Sequence, residues 1–195
     1  GVSIVNSASA NTIGGAAAGA GNIISGNSNG GVSLQSGSND VFGNLVGTDP
    51  SGTIDLGNAG FGVEVSNVAN CKIGGAAAGE RNVISGNNGD GVQIFGISAT
   101  GNIVAGNYIG TDVSGNAAIP NGALSAGVLV SGSAGANVIG GTLPGEGNVI
   151  SGNNNGLLLS AAGGNFVQGN YIGTNADGTA ALGNTYGVKF DSAAS

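Results

Sequence analysis

Short apolar alternations recur along the whole chain and are separated by Gly and Asn. The phrase Gly-Val-x-aliphatic starts at positions 1, 31, 62, 91, 127, 156 and 187, with Leu in place of Val after Gly156. The intervals are 30, 31, 29, 36, 29 and 31 residues. Each interval holds three such alternations, which are typical of short β-strands bounded by turns.

A longer phrase repeats at 63-residue intervals, as Asn39–Asp49, Asn102–Asp112 and Asn165–Asn175. Because Gly interrupts every window, no helix of useful length is predicted. Three strands per turn of about 30 residues predict an all-β fold, a single-stranded parallel β-helix of about six coils. At about 4.8 Å per coil, six coils form a rod about 29 Å long. Parallel crossovers favour a right-handed coil.

The loops define a larger period of two coils within a single domain, 1-195. Its three super-repeats are approximately 1-61, 62-126 and 127-186, followed by a last strand at 187-190. Odd coils insert a loop between their second and third strands, at Gly15–Gly21, Gly75–Arg81 and Gly141–Gly147. Even coils insert a longer loop after the third strand, at Gly47–Asn58, Gly110–Asn121 and Gly173–Asn184. Insertions in solenoids project as loops without disturbing the stack.

Stacking the coils converts sequence columns into rows along the rod. Three rows of β-branched and aliphatic residues are predicted to form the core: Val2, Val32, Val63, Val92, Val128, Leu157 and Val188; Ile13, Val41, Ile73, Val104, Ile139 and Val167; and Ile24, Val46, Ile84, Ile109, Ile150 and Ile172. Three columns of Asn are predicted to stack as side-chain ladders in the turns. Cys71 takes the Asn position in the third coil.

The outward row of the third strand is apolar throughout: Ile23, Leu45, Val83, Tyr108, Val149 and Tyr171. Such a row on a rod needs a cover. The favoured cover is the chain's own loops, and the alternatives are a partner or neighbouring rod, or a sugar stacked on the aromatic rings. Tyr108, Tyr171 and the outward Phe166 are therefore the candidate binding residues.

Charge and composition narrow the function. The chain has 43 Gly, 3 Lys+Arg, 10 Asp+Glu and no His, for a net charge of −7. A basic footprint for nucleic acid is absent, and no apolar run approaches the roughly 20 residues that insertion in a bilayer requires. Without His, nucleophile–His pairs and His metal sites are excluded. The lone Cys71 excludes an internal disulfide.

The remaining charged residues offer little chemistry. Lys72 is expected one coil from Asp40 in the same outward row, as a cross-strand ion pair. Arg81 adjoins Glu80, and Lys189 follows Leu158 in its row. These placements leave no cationic base beside clustered carboxylates.

The loops that begin Gly-Thr-Asp were tested against two kinds of site. Asp49 and Asp112 occupy equivalent places about 9–10 Å apart. This separation suits an inverting glycosidase, but equal environments give no reason for one carboxyl to act as acid and the other as base. Calcium binding is disfavoured because each loop offers one carboxylate, so a plain Asx-turn and no cofactor are predicted.

The phrases Gly-Asn-x-Ile-Ser-Gly-Asn and Asn-x-Ile-x-Gly-Asn-x-Ile-Gly-Thr-Asp resemble those of right-handed parallel β-helix repeat proteins. They look most like the repetitive segments of large bacterial secreted or surface proteins. The resemblance implies an extracellular or cell-surface location. The same pectate-lyase-like superfamily includes polysaccharide lyases and hydrolases, but the polygalacturonase-like set of paired Asp, His-Gly and a basic element has no counterpart in this chain.

We therefore expect a non-catalytic structural or adhesive solenoid, acting as a rod or stalk segment or as a filament subunit. Exposed parallel edges in the same phase are templates for pairing. End-to-end association would bring Val188 and Phe190 of one unit against Val2 and Ile4 of the next, unless the chain is part of a longer parent solenoid. The alternative function is a polysaccharide-binding or polysaccharide-degrading module. Ice binding is weaker, since no row is continuously Thr.

Overall fold

Parallel strands dominate the computed structural model, which describes residues 1–191. The first sheet contains β1 (Val2–Ile4), β4 (Val32–Leu34), β7 (Val63–Ser66), β10 (Val92–Phe95), β13 (Ala126–Ser131), β16 (Asn155–Ser160) and β19 (Tyr186–Asp191). The second contains β2 (Thr12–Gly14), β5 (Asp40–Phe42), β8 (Lys72–Ile73), β11 (Ile103–Val104), β14 (Val138–Gly140) and β17 (Phe166–Gln168). The third contains β3 (Ile23–Ile24), β6 (Leu45–Val46), β9 (Val83–Ile84), β12 (Tyr108–Ile109), β15 (Val149–Ile150) and β18 (Tyr171–Ile172).

Every strand pairs with the strand three places along the chain. Val2 lies opposite Val32, and Val32 lies opposite Val63, so the register follows the sequence columns. Strands that recur in the same sheet once per coil define a parallel β-helix, and about six coils are present. The predicted fold is confirmed, while its right-handed sense stays a prediction. The only helical element within residues 1–191 is a 3₁₀ turn at Ala78–Glu80.

The inward rows form one continuous core along the axis. Val32, Val63, Val92 and Val128 are fully buried, and the other two rows are equally enclosed in the middle coils. Exposure rises at the two ends, where Val2 is 36% exposed. Branched side chains stacked one above another fill the interior without a helix or a second layer, because each coil is the packing partner of the next.

Asparagine ladders seal the turns between the sheets. In each step from Asn to Asn the backbone N–H of the first Asn donates to the Oδ1 of the Asn one coil further along, and its Nδ2 donates to the same oxygen in every step except that from Asn153 to Asn184. At Asn44, for example, both donors reach Asn82 Oδ1 at 3.0 Å. The second Nδ2 hydrogen donates to a backbone carbonyl, as from Asn44 to Ile13 O at 2.9 Å. Each buried amide of the ladders is thereby satisfied.

Two ladders run through every coil and the third is interrupted once. The continuous ladders comprise Asn22, Asn44, Asn82, Asn107, Asn148 and Asn170, and Asn27, Asn58, Asn87, Asn121, Asn153 and Asn184. The interrupted ladder comprises Asn11 and Asn39, then Cys71, then Asn102, Asn137 and Asn165. The predicted ladders are confirmed, including the position of Cys71.

Replacing Cys71 with Asn is expected to stabilise the fold. Cys71 Sγ lies 3.5 Å from Gly37 O, at the place where Nδ2 donates to a carbonyl in the other coils. The acceptor of the buried Asn39 backbone N–H is the Cys71 sulfur, a weak acceptor, whereas the equivalent N–H of Asn102 donates to Asn137 Oδ1 at 2.9 Å. A Cys71→Asn variant replaces the sulfur with an amide oxygen and adds a donor to Asn102 Oδ1. We expect the free energy of unfolding to rise by about 1–2 kcal/mol.

Urea denaturation of the two proteins measures this difference. Cys71→Ser provides the control, because a hydroxyl is too short to continue the ladder and should give no gain. An unchanged or lower unfolding midpoint for Cys71→Asn would show that the coil cannot accommodate the amide.

The loops of the even coils form a second stack outside the helix. Each closes with a short antiparallel bridge, Thr48 with Asp55 in the first and Thr111 with Ala118 in the second. Successive loops contact each other across two coils, since Val113 N donates to Gly52 O at 3.0 Å. Ala176 N donates to Gly115 O in the same way, also at 3.0 Å. Successive super-repeats are therefore joined by their loops as well as by their strands.

Candidate functional site

An open groove of about 440 Å³ lies on the outer side of the third sheet. Its floor is formed by Tyr108, Val149 and Tyr171, which pair in register on β12, β15 and β18. The loop Gly141–Gly147 forms one wall with Leu143 and Pro144, and Arg81 stands at one end. We call this feature the third-sheet groove. The fold thus brings two of the three candidate binding residues, Tyr108 and Tyr171, into one site.

The ring of Tyr108 is already covered. The Arg81 guanidinium carbon lies 4.2 Å from the ring centroid, a cation–π contact, and Arg81 Nε donates to Gly106 O at 3.1 Å. On another side the even-coil loop approaches, since a methyl group on Gly115 would lie 3.0 Å from Tyr108 Cε2. Tyr108 is partly buried as a result.

The apolar outward row is covered by the chain's own loops in its middle and exposed at its ends. Val83 and Val149 are each 3% exposed, whereas Ile23 is 51% and Tyr171 is 45% exposed. Loop coverage, the favoured alternative, thus accounts for the middle coils. Tyr171 keeps an accessible ring within the groove.

The other predicted residues lie elsewhere. Phe166 belongs to β17 in the second sheet and is 53% exposed, outside the groove. Val2 and Ile4 lie on β1 at one edge of the first sheet, and Val188 and Phe190 lie on β19 at the opposite edge. Phe190 is the most exposed of these four side chains.

The expected ion pair between Asp40 and Lys72 is not present. The register is as predicted, because Asp40 lies opposite Lys72 on β5 and β8. Among residues 1–191, however, the only ion pair within 4.0 Å joins Lys189 and Asp191, at 3.9 Å. Exposed charges gain little from a fixed pair because holding two long side chains costs entropy. Arg81 likewise pairs with a ring rather than with Glu80.

The Asp49 carboxylate is held by its own loop. Ser51 Oγ donates at 2.7 Å, and the backbone N–H groups of Ser51, Thr53 and Ile54 donate at 2.9–3.1 Å. The hydrogen bond from the Ser51 hydroxyl, with those backbone bonds, lowers the pKa of Asp49 to about 2. At Asp112 desolvation opposes similar bonds led by Ser114, which still hold its pKa below the usual value. These contacts describe an Asx-type turn.

The other buried titratable groups stand alone. Burial raises the pKa of the Cys71 thiol and of Asp90, whose Oδ1 accepts the Ala126 N–H at 2.7 Å. Across residues 1–191, no three His, Cys, Asp or Glu side chains are grouped closely enough to hold a metal ion. The described part of the chain also has no helix of the length and hydropathy needed to cross a membrane.

The hydrogen bonds centred on Asp49 are expected to weaken in acid, whereas the equivalent hydrogen bonds centred on Asn175 in the third loop are not. Asn175 replaces Asp and accepts the N–H groups of Thr179 and Ala180 at 2.9 and 3.1 Å, so the geometry is kept without a titratable group at that position. The folded-state pKa of Asp49 lies below its unfolded value. Its contribution to the loop is therefore present above a pH of about 4 and is lost as the pH falls toward 2.

Amide chemical shifts followed by NMR from pH 5 to pH 1.5 test this prediction. The Thr53 and Ile54 amides should titrate with a midpoint near 2, and the Thr179 and Ala180 amides should show no step with that midpoint. An Asp49→Asn variant is the matched control and should abolish the titration at Thr53 and Ile54. A midpoint at the ordinary value of about 3.9 would contradict the hydrogen-bonded carboxylate.

Comparisons with known proteins add no relative. Scans against protein-family models, curated proteins and solved structures each find no match to this chain.

Two features of the groove were not anticipated from the sequence. The stacking of Arg81 on Tyr108 was missed because Arg81 was interpreted with its neighbour Glu80. The wall formed by Leu143 and Pro144 was also missed. Aligning the coils by column could have indicated the stacking of Arg81 on Tyr108. Arg81 immediately precedes the ladder residue Asn82 and therefore lies beside Tyr108 of the next coil.

Proposed function

We propose that this chain is a non-catalytic structural segment of an extracellular or cell-surface rod, working in series with further coils. One observation carries the proposal: three sheets and two continuous Asn ladders, with a third ladder broken once at Cys71, hydrogen-bond each coil to the next along the described length. Elements that contact only their neighbours and repeat along one axis are suited to spanning distance. The extracellular location rests on the resemblance to secreted and surface repeat proteins.

The ladders give the rod a direction. Asn residues donate toward the amide of the later coil and accept from the earlier one at every step except the one from Asn39 to Cys71, as Asn22 does to Asn44 and Asn148 to Asn170. The first coil therefore offers Oδ1 acceptors at its outer side, and the sixth coil offers N–H donors. Coils that follow in the same chain would continue the ladders with the sixth-coil side against a first-coil side. In that arrangement the strand in phase with β1 is β19 itself, so a separate copy whose β1 paired with β19 would lie one coil too far along to join the ladders directly.

Polysaccharide binding or cleavage is the second proposal and has less support. A sugar stacked on both rings needs two free faces, but Arg81 occupies one face of Tyr108 at 4.2 Å. A glycan array combined with assays for reducing ends and unsaturated products discriminates between the two proposals. Turnover of any polysaccharide would overturn the structural role.

A double-length fusion tests the series arrangement directly. Position 187 repeats the phase of position 1, so residue 186 of one copy is followed directly by residue 1 of the next. We expect a single rod whose long axis in small-angle X-ray scattering grows by about 29 Å, with one cooperative unfolding transition. The matched control carries one extra residue at the junction. That insertion turns inward side chains outward in the junction strand and should uncouple the halves.

Two independent transitions in the in-phase fusion, at the midpoint of the single copy, would show that the ends do not join. Sedimentation and electron microscopy of the single chain over a range of concentrations examine association of separate copies. End-to-end particles would support a filament subunit. Monomers throughout, alongside a cooperative fusion, would support a segment of a longer rod.

A further inference from the structure

One aromatic ring in the third-sheet groove lacks the covering side chain that the equivalent ring has in the preceding super-repeat. In the second super-repeat Arg81 precedes the ladder residue and stacks on Tyr108 of the next coil. In the third super-repeat Gly147 stands in the place of Arg81, and Tyr171 stands in the place of Tyr108. The ring therefore recurs without the guanidinium that covers it.

The surroundings of the two rings match on the side of the even-coil loop, whereas Gly169 O lies against Gly147 more closely than Gly106 O lies against Arg81. A methyl group on Gly178 would lie 3.0 Å from Tyr171 Cε1, as one on Gly115 would lie 3.0 Å from Tyr108 Cε2, so the even-coil loop approaches both rings alike. Gly106 O accepts Arg81 Nε at 3.1 Å, and Gly169 O is its equivalent beside Tyr171. Gly169 lines the groove, and among residues 1–191 its carbonyl has no hydrogen-bond donor.

The first super-repeat shows that the ring is not required by the fold. There Gly21 stands at the place of Arg81 and Leu45 at the place of Tyr108. In that super-repeat, glycine therefore takes the place of the arginine and an aliphatic side chain takes the place of the aromatic ring. Only the third super-repeat combines Gly with Tyr, and the groove lies there.

The charge of the chain and the shape of the groove indicate which chemical group would cover the Tyr171 ring. The chain has a net charge of −7 with 3 cationic residues, so its field attracts cations. Glu146 lies in the loop that forms the wall, where its Oε2 accepts the Leu143 N–H at 2.9 Å. Leu143 and Pro144 give that wall an apolar surface suited to the methylene stem of a long cationic side chain.

We propose that the groove beside Tyr171 binds the guanidinium group of an arginine side chain from a partner protein. The group stacks on the Tyr171 ring and donates to Gly169 O, as Arg81 does at Tyr108 and Gly106. This interaction goes beyond the structural role of the rod and does not depend on it. It would fix a basic partner at a defined position along the axis.

Titration with a capped peptide, acetyl-Gly-Arg-Gly-amide, tests the site by NMR on the full chain. We expect saturable shifts at the Gly147, Gly169 and Tyr171 amides. The citrulline analogue keeps the shape without the charge and should bind about two- to fivefold more weakly, because a cation–π contact with a partly exposed ring is worth about that factor. Equal binding of the two peptides would overturn the proposal.

Variants define the site from both directions. Tyr171→Leu adopts the residue found at this place in the first super-repeat, so it should fold and lose the arginine-dependent shifts. Tyr186→Leu removes an exposed ring outside the groove and should bind as the parent does. Arg81→Gly copies the third super-repeat and should create a second arginine site, seen as new shifts at Gly106 and Tyr108.

Two results would contradict the assignment. One is unchanged peptide binding in Tyr171→Leu. The other is that glucuronate shifts the groove amides through Arg81 while the arginine peptide does not, which would make the groove an anion site.

Discussion

Replacing Asn107 with Ala is expected to lower the free energy of unfolding by about 3–5 kcal/mol. The Asn107 side chain is fully buried and makes five hydrogen bonds. Its Oδ1 accepts the backbone N–H and Nδ2 of Asn82 at 3.2 and 2.9 Å. Its Nδ2 donates to Asn148 Oδ1, Ile73 O and Ala105 O at 2.8–3.0 Å.

Removing the amide leaves donors and acceptors of neighbouring coils without partners in a dry interior. Each such buried group costs about 1–3 kcal/mol, which is why the loss exceeds that of an ordinary hydrogen bond. The neighbours cannot recover water, because Asn82 and Asn148 are themselves fully buried. The penalty therefore falls on three coils at once.

Urea denaturation monitored by circular dichroism measures the difference, with Asn11→Ala as the matched control. Asn11 begins a ladder, is exposed, and donates only to Asn39 Oδ1 through Nδ2 and its backbone N–H. We expect its replacement to cost less than about 1 kcal/mol. Similar losses at the two positions would mean that stacking along the ladder contributes little beyond one local bond.

The fold could be predicted from the sequence because one period controls it. Val32, Val63 and Val92 recur at the spacing of a coil, and strand pairing then places them in register without further information. The ladders followed from the same columns. Repetition thus converted a three-dimensional problem into the alignment of six short segments.

The groove was less predictable because it depends on the residues that break the repeat. Whether Tyr108 is covered depends on Arg81, one coil earlier and in a loop, and neither local pattern nor charge indicates that contact. The ion pair expected for Lys72 failed for a related reason: register brings two Cα atoms together but does not fix two exposed side chains. The contacts of outward side chains depend on how the loops pack against them, and the strand period does not encode that packing.

Gly110→Ala is expected to be at least as damaging, at about 3–5 kcal/mol. Gly110 has a φ of +85°, where an L side chain is strained. An added Cβ would also lie 2.3 Å from Ser151 O and 2.4 Å from the Asn153 amide. Ser151 cannot retreat easily, because its N–H donates to Ile109 O at 3.1 Å and its Oγ to Thr174 O at 2.7 Å.

Gly173 separates these two costs, since it occupies the same column in the sixth coil. Its φ is +82°, but the nearest atoms to an added Cβ are 3.9 Å away. Gly173→Ala should therefore cost only the conformational strain, about 1–2 kcal/mol. Thermal and urea denaturation measure the loss of unfolding free energy in both variants, and the difference between the two losses is the cost of the steric contact. Equal losses would show that backbone strain accounts for the whole effect.

The same pair of variants connects stability to the proposed rod. In the in-phase fusion, Ser25 and Asn27 of the second copy take the places beside Gly173 that Ser151 and Asn153 take beside Gly110. Gly173→Ala in the first copy should then become as costly as Gly110→Ala, because a backbone carbonyl of the next coil meets the new methyl group. In the out-of-phase control it should keep its smaller cost. A glycine that is tolerant alone and intolerant in series is the expected signature of coils that continue from one unit into the next.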